Sequence, residues 1–433
     1  MRTATFAQRL LTHLRWKSVA ELLSRAISLI FIFVTARTLG DTGYGAFSLP
    51  LAWAGLWAIT LDWGTQHLLI RELGENASPW QLLPAAFYLK VLASLCFALG
   101  LGLSSYWAPQ IPFHALAAAG LWSIAQSWND SLFALLNAYE QFKAEALYRN
   151  GMRFVLLLPQ LAILYWAPDV WTLLWVSAIT QALLSVGVYG WVLRRVLRQN
   201  LPPNAQVNAQ AQHKSLLAPH FQRIYALWRR GLSFWWFHVA WLMYLKLDLV
   251  MLPNFLSSAT ETSALQTLGW YQGAIRCYEI VALVGYILSM SLYPLWVRME
   301  PTARQQFWKR LNRWLWPATL VIAVLAYVVA PLGVPLLLGQ AFTPTIGLFR
   351  ILSLSLPFVI FNQIALNVLA AQHRQYYTAW AASLGLFING ALNAYAIPRY
   401  GATAAAWSTV VADLCLSLCF LVLSFWPNPQ PDR

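Results

Sequence analysis

Residues 16–73 read WKSVAELLSRAISLIFIFVTARTLGDTGYGAFSLPLAWAGLWAITLDWGTQHLLIREL. Two apolar runs flank the break Leu39-Gly40-Asp41-Thr42-Gly43-Tyr44-Gly45. Each is long enough to cross a bilayer, which takes about 20 predominantly apolar residues. The first run carries Glu21 and Arg25 one helical turn apart, and the second holds Asp62. A charge inside such a run is costly, so it is expected to face protein or a watery cavity rather than lipid. This stretch therefore predicts a helical membrane fold with a polar interior.

The rest of the chain repeats the pattern. Its 433 residues are 59% hydrophobic and 10% charged, with 24 Trp and a mean hydropathy of +0.53. Soluble domains carry about 25% charged residues. The apolar runs place helices at about 17–38, 46–70, 80–106, 113–138, 150–166, 171–193, 231–253, 266–296, 313–338, 346–370, 375–397 and 402–426. The reading is an all-α polytopic membrane protein of about 12 transmembrane helices. Between the sixth and seventh runs, Pro202-Pro203-Asn204 opens a polar stretch without apolar periodicity. It divides the chain into an N-terminal half, 1–200, a cytoplasmic linker, 201–230, and a C-terminal half, 231–433. Six helices in each half give both halves the same orientation.

The net charge of +14 would suggest nucleic acid in a soluble protein; here its placement argues for topology and against that partner. With the N-terminus in the cytoplasm, nearly all loop Lys and Arg fall on the cytoplasmic side, leaving Arg37 and Arg399 opposite. Arg149 and Arg153 count among the cytoplasmic charges in this sorting. Both termini are expected to be cytoplasmic. Residues 1–15 read as a basic, partly amphipathic lead-in rather than a cleavable signal. Cys96, Cys277, Cys415 and Cys419 lie in apolar runs and read as buried free thiols. No Walker A, GxGxxG, HExxH or GxSxG motif is present, so a transporter without cofactor is expected, not an enzyme. Without an ATP site, the driving force would be an ion gradient (H+ or Na+), the membrane potential or the substrate gradient.

Polar stripes mark the candidate site. Ser18, Glu21, Arg25 and Ser28 share a face of the first helix. Gln126, Asp130 and Asn137 share one on the fourth, and Gln272, Arg276, Glu279 and Tyr286 one on the eighth. Asn362, Gln363, Asn367, Asn389, Asn393, Thr409, Asp413 and Ser417 mark the last three helices. Lys90, Lys246, Asp248 and Arg350 complete the intramembrane charges; Lys246 and Asp248, two apart, point to opposite faces. Amides and hydroxyls at such positions equally serve as ties between helices. The cations suit an anionic substrate such as a phosphate or pyrophosphate, which Arg grips in bidentate fashion. The candidate substrate-binding residues are Arg25, Arg276, Lys246, Glu21, Glu279, Asp62 and Gln272. Lys90 and Arg350 have the alternative of snorkelling to an interface. A weak echo, Leu39-Gly40 with Tyr44-Gly45-Ala46 against Leu268-Gly269 with Tyr271 and Gly273-Ala274, suits parallel repeats.

These residues carry a family resemblance. Ala36 to Phe47 (ARTLGDTGYGAF), Leu61-Asp62-Trp63-Gly64 and Leu69 to Leu73 (LIREL) contribute to it. So do Tyr244 to Met251 (YLKLDLVM), Leu268 to Ala274 (LGWYQGA), Leu292-Tyr293-Pro294 and Asn389 to Ala406 (NGALNAYAIPRYGATAAA). Over nearly its whole length the chain resembles the polysaccharide flippases, the Wzx-type lipid-linked oligosaccharide exporters of the multidrug/oligosaccharidyl-lipid/polysaccharide exporter superfamily. The resemblance implies two six-helix bundles around a central cavity and alternating access. It further implies a polyprenyl-pyrophosphate-linked oligosaccharide moved from the cytoplasmic to the outer leaflet of the cell's inner membrane. A monomer in the lipid bilayer is expected. A cation-coupled multidrug exporter of the same superfamily would use Asp62, Asp130 and Asp413. A membrane-embedded glycan polymerase or ligase would need a sizeable outer loop, and every outer loop here is short.

Overall fold

The structure is a computed structural model that describes residues 2–74, 79–139, 141–200, 221–256, 260–372 and 374–425. Among these residues the regular structure is helical throughout. In chain order the helices are α1 (Arg2–Trp57), α2 (Thr65–Gly74), α3 (Pro79–Trp107), α4 (Phe113–Ala138), α5 (Phe142–Trp166) and α6 (Val170–Asn200). Then come α7 (Phe221–Phe255), α8 (Glu261–Arg298), α9 (Pro301–Leu338), α10 (Thr345–Ser353), α11 (Leu356–Ala371) and α12 (Gln375–Phe425). Among the described residues six helices are long and apolar enough to cross a membrane, or seven if the pair α10 and α11, bent by 50°, makes one span. Helices α1 and α12 each contain a glycine at positive φ, Gly40 (φ 70°) and Gly401 (φ 57°), where the chain turns between two arms. Only glycine adopts such a φ without steric cost.

The chain divides into two compact units: Met1–Thr38 with Pro50–His238, and Leu39–Leu49 with Val239–Arg433. The first unit packs around α4. Its stretch Ala115, Leu116, Ala118, Ala119 and Gly120 is buried, and small side chains let neighbouring backbones approach. Leu132, Phe133, Leu135 and Leu136 then join Leu69, Leu89, Met152 and Val192 in one apolar cluster.

The second unit packs α8, α9, α11 and α12 around Trp296, Trp308, Phe361, Ile364 and Leu416. Its most constrained crossing lies between residues 39–49 and α8. A Cβ placed on Gly45 would fall 1.9 Å from the Leu265 carbonyl oxygen, and one on Gly269 would fall 2.0 Å from that of Asp41. The two halves of the sequence echo therefore meet, each glycine accommodating the other's backbone. Asp41 fixes the crossing further, its Oδ2 accepting from Gln266 Nε2 (2.9 Å) and Trp270 Nε1 (2.8 Å). That crossing explains why residues 39–49 group with the second unit although they lie in the N-terminal half of the sequence.

Several helices run longer than their apolar segments. Helix α5 starts at Phe142 rather than near 150, α8 at Glu261, and α9 at Pro301 rather than near 313. Their leading turns are amphipathic, which hydropathy alone under-counts. Residues 221–230, expected within the linker, are helical in α7, while 201–220 lie outside the described residues. The second expected span, 46–70, is broken between Thr60 and Thr65, where Gly64 takes φ 76°. The tenth, 346–370, is broken between Ser353 and Leu356.

Candidate functional site

In the first unit, one polar face draws on α1, α3, α4 and α5. Arg25 Nε donates to Glu21 Oε1 at 2.9 Å, a pair left about a third exposed on α1. Arg149 Nη2 donates to Glu145 Oε1 at 2.6 Å on α5, with its guanidinium over the Phe133 ring. One turn further along, Arg153 Nη1 donates to the Ser24 carbonyl (3.1 Å) and to Ser28 Oγ (2.9 Å), tying α5 to α1. Arg153 lies within electrostatic reach of Glu21, Arg25, Asp130 and Arg149. Asp130, on α4, takes a hydrogen bond from Gln126 Nε2 at 3.3 Å.

Asp62 and Lys90 hold the break in the second span. Asp62 Oδ1 accepts from the backbone N of Thr65 (2.9 Å) and from Thr65 Oγ1 (2.6 Å), capping α2. An acceptor there satisfies amides that have no partner within the helix. Lys90 is buried; its Nζ donates to the Leu61 carbonyl (3.0 Å) and Ser127 Oγ (2.6 Å). It therefore sits inside the unit rather than snorkelling. Among the predicted site residues of this unit, Arg25 and Glu21 form a pair, and Asp62 stands at a helix terminus.

In the second unit, α8 carries the cationic group. Arg276 Nη1 donates to Glu279 Oε2 at 2.6 Å. In the amide orientation that satisfies both ends, buried Gln272 accepts from Arg276 Nε (3.3 Å) and Nη2 (2.9 Å). Tyr44 also lies within electrostatic reach of Arg276. Lys246, half-buried on α7, lies within electrostatic reach of Arg276, Glu279 and Asp248. Its Nζ makes no hydrogen bond or ion pair with the described residues. The structure thus brings Arg276, Glu279, Gln272 and Lys246 together.

Next to this group, two buried carboxylates are held by hydroxyls. Asp413 Oδ1 accepts from the Tyr244 hydroxyl at 2.7 Å, and its Oδ2 accepts from Tyr278 (3.1 Å) and from Ser355. Asp248 accepts from the Tyr271 hydroxyl and from the backbone N of Leu249 (2.8 Å). A carboxylate buried away from water needs such donors or a counter-ion. The roles of Tyr244, Tyr271 and Tyr278 do not emerge from the sequence, where tyrosine counts toward the apolar runs; the spacing of Tyr271 and Tyr278 two turns apart was the available signal. Arg149 and Arg153 were masked by their position, since cations near a helix end read as loop charges. Among the described residues no three His, Cys, Asp or Glu side chains converge to hold a metal ion.

Comparison with known proteins adds a family and a fold. A family model described as "Polysaccharide biosynthesis protein" matches residues 10–300. Among curated protein sequences none matches the chain. In solved structures, the chain is similar to the lipid II flippase MurJ in an inward closed conformation, with a TM-score of 0.64 and 14% identity over 94% of this chain and 86% of that one. It is similar to a multidrug resistance MATE family transporter of the MOP superfamily in an inward-facing conformation, with a TM-score of 0.63 and 11% identity over 93% of each chain. A MOP superfamily transporter from Pyrococcus furiosus gives 0.59 and 11% over 95% and 94%. The shared fold is that of multi-pass membrane transporters.

Proposed function

Because the chain belongs to the polysaccharide biosynthesis protein family, we propose that it flips a polyprenyl-pyrophosphate-linked oligosaccharide from the cytoplasmic to the outer leaflet of the cell's inner membrane. It does so by alternating access during cell-surface polysaccharide biosynthesis, as a monomer with both termini cytoplasmic. An H+ or Na+ gradient, the membrane potential or the substrate gradient drives it.

One observation carries this reading. Lys246 sits half-buried in an apolar helix with no hydrogen bond or ion pair to the described residues. An intramembrane cation with no hydrogen bond or ion pair is expensive and marks a place for an anion. Arg276 stands close by, its orientation set by Glu279 and Gln272. In the first unit, taken by itself, Arg25 is a cation oriented by Glu21. In this reading Asp62 contributes by holding the end of α2 in place. The pyrophosphate is the common element of such substrates, so cations grip it while amide and aromatic side chains contact sugar.

The test is transbilayer movement of a labelled polyprenyl-pyrophosphate oligosaccharide in proteoliposomes. Movement that requires the protein and is lost in Lys246→Gln supports the reading; none with wild type contradicts it. Asp413, buried with no cation in contact among the described residues, favours a second reading, a cation-coupled drug exporter. Protein-dependent antiport of a cationic drug, with no movement of the lipid-linked sugar, would establish it.

A further inference from the structure

We infer that Arg153 is the principal pyrophosphate-binding cation of the first unit, an inference that rests on the flippase reading. Two of the cations on that unit's polar face are already neutralised. Arg25 is paired with Glu21 and Arg149 with Glu145, each carboxylate lying one turn away on the same helix. Arg153 has no carboxylate within ion-pairing distance among the described residues. Its partners are a backbone carbonyl and a serine hydroxyl, which fix the guanidinium without cancelling its charge.

Both anchors use the same nitrogen. Nη1 takes the Ser24 carbonyl and Ser28 Oγ, leaving Nε and Nη2 without a protein partner among the described residues. Neither of these is sealed from the surroundings, in contrast to Arg149 Nε, which is buried and unbonded. The Nε and Nη2 donors form one edge of the planar fork, the geometry that matches two oxygens of a phosphate. Ser24 and Ser28 lie on α1, flanking Arg25 in sequence, so the fork belongs to the same polar face as the Arg25–Glu21 pair. An anion bound there gains from Arg25 and Arg149 in the background without having to break their ion pairs.

The test measures binding of inorganic pyrophosphate, farnesyl pyrophosphate and phosphatidylglycerol to the purified full-length protein by calorimetry. Wild type is compared with Arg153→Gln, Arg153→Lys, Ser28→Ala and Arg25→Gln. A bidentate charge-assisted contact corresponds to about a 10- to 100-fold change in Kd. Arg153→Gln is expected to weaken both pyrophosphates by that factor. Arg153→Lys should recover part of the loss and the salt dependence, which a purely structural tie between α5 and α1 would not do. Ser28→Ala, which frees the guanidinium but keeps its charge, should weaken binding by only a few-fold. Pyrophosphate binding equal to wild type in Arg153→Gln, with the loss appearing in Arg25→Gln instead, overturns the inference and leaves the flippase reading intact. Dependence on Arg153 for phosphatidylglycerol alone overturns it in favour of a phospholipid headgroup. A wild-type protein that binds neither pyrophosphate overturns the flippase reading and the inference together.

Discussion

In the first unit Glu21 and Glu145 are answered by arginines one turn away on their own helices, Arg25 and Arg149. In the second, Asp248 and Asp413 are answered by hydroxyls from other helices, namely Tyr244, Tyr271, Tyr278 and Ser355. The two solutions have different consequences. Local ion pairs leave neighbouring helices free of one another, whereas a hydroxyl cage fastens α7, α8 and the α10–α11 corner to α12. Each unit also holds a cation with no carboxylate at ion-pairing distance among the described residues: Arg153, bonded to Ser24 and Ser28, and Lys246, which makes no hydrogen bond there.

Changes in the second unit should therefore cost more than their counterparts in the first. The largest effect is expected at the Gly45–Gly269 crossing, where an added Cβ meets backbone rather than a movable side chain. Gly269→Leu should destabilise by about 3 kcal/mol or more, the upper end of overpacking, read as a lowered detergent-solubilised Tm. A Tm within a degree of wild type would mean that the crossing opens freely.

Next comes Asp413→Ala, which strands the donors of Tyr244, Tyr278 and Ser355 and should cost about 1–3 kcal/mol. Glu21→Gln, the matching change in the first unit, removes half of a partly exposed helical pair and should stay within about 0.5 kcal/mol. Equal losses for these two would dissolve the distinction between the units.

The smallest effect concerns an ordinary cap outside the apolar spans. Asp169 Oδ2 accepts from the backbone N of Thr172 at 2.8 Å, and that hydrogen bond holds its carboxyl below the usual carboxylate range. A pKa depressed on folding gives stability that is full above the unfolded carboxylate value and lost as pH falls through the folded one. Asp169→Ala should thus cost at most about 1 kcal/mol at neutral pH. The difference from wild type should fade as pH falls below the usual carboxylate range. A difference that persists at that pH would point to packing rather than the charged cap.

Much of this was legible in the sequence because its physics is local. Gly40 and Gly401 stand at breaks between apolar runs, and both turn out to take positive φ. Glu21 with Arg25 and Arg276 with Glu279 are spaced for pairing and do pair. What escaped depends on distant partners. Arg153 lies near the start of the expected span 150–166, where a cation reads as a topology signal; only the fold sets it against Ser24 and Ser28. Tyr244, Tyr271 and Tyr278 read as apolar until the fold aims their hydroxyls at Asp248 and Asp413. The Gly45–Gly269 contact joins residues from opposite halves of the chain, and no periodicity announces it.

The most direct test of the account sets four cations side by side in one flipping assay. Initial rates of transbilayer movement of a labelled polyprenyl-pyrophosphate oligosaccharide would be compared in proteoliposomes holding wild type, Arg153→Gln, Lys246→Gln, Arg25→Gln or Arg276→Gln. The account predicts that losing either unpaired cation, Arg153 or Lys246, slows flipping by about tenfold or more. Losing either paired one should slow it several-fold less. Unchanged rates in Arg153→Gln and Lys246→Gln beside loss in the paired variants would contradict it.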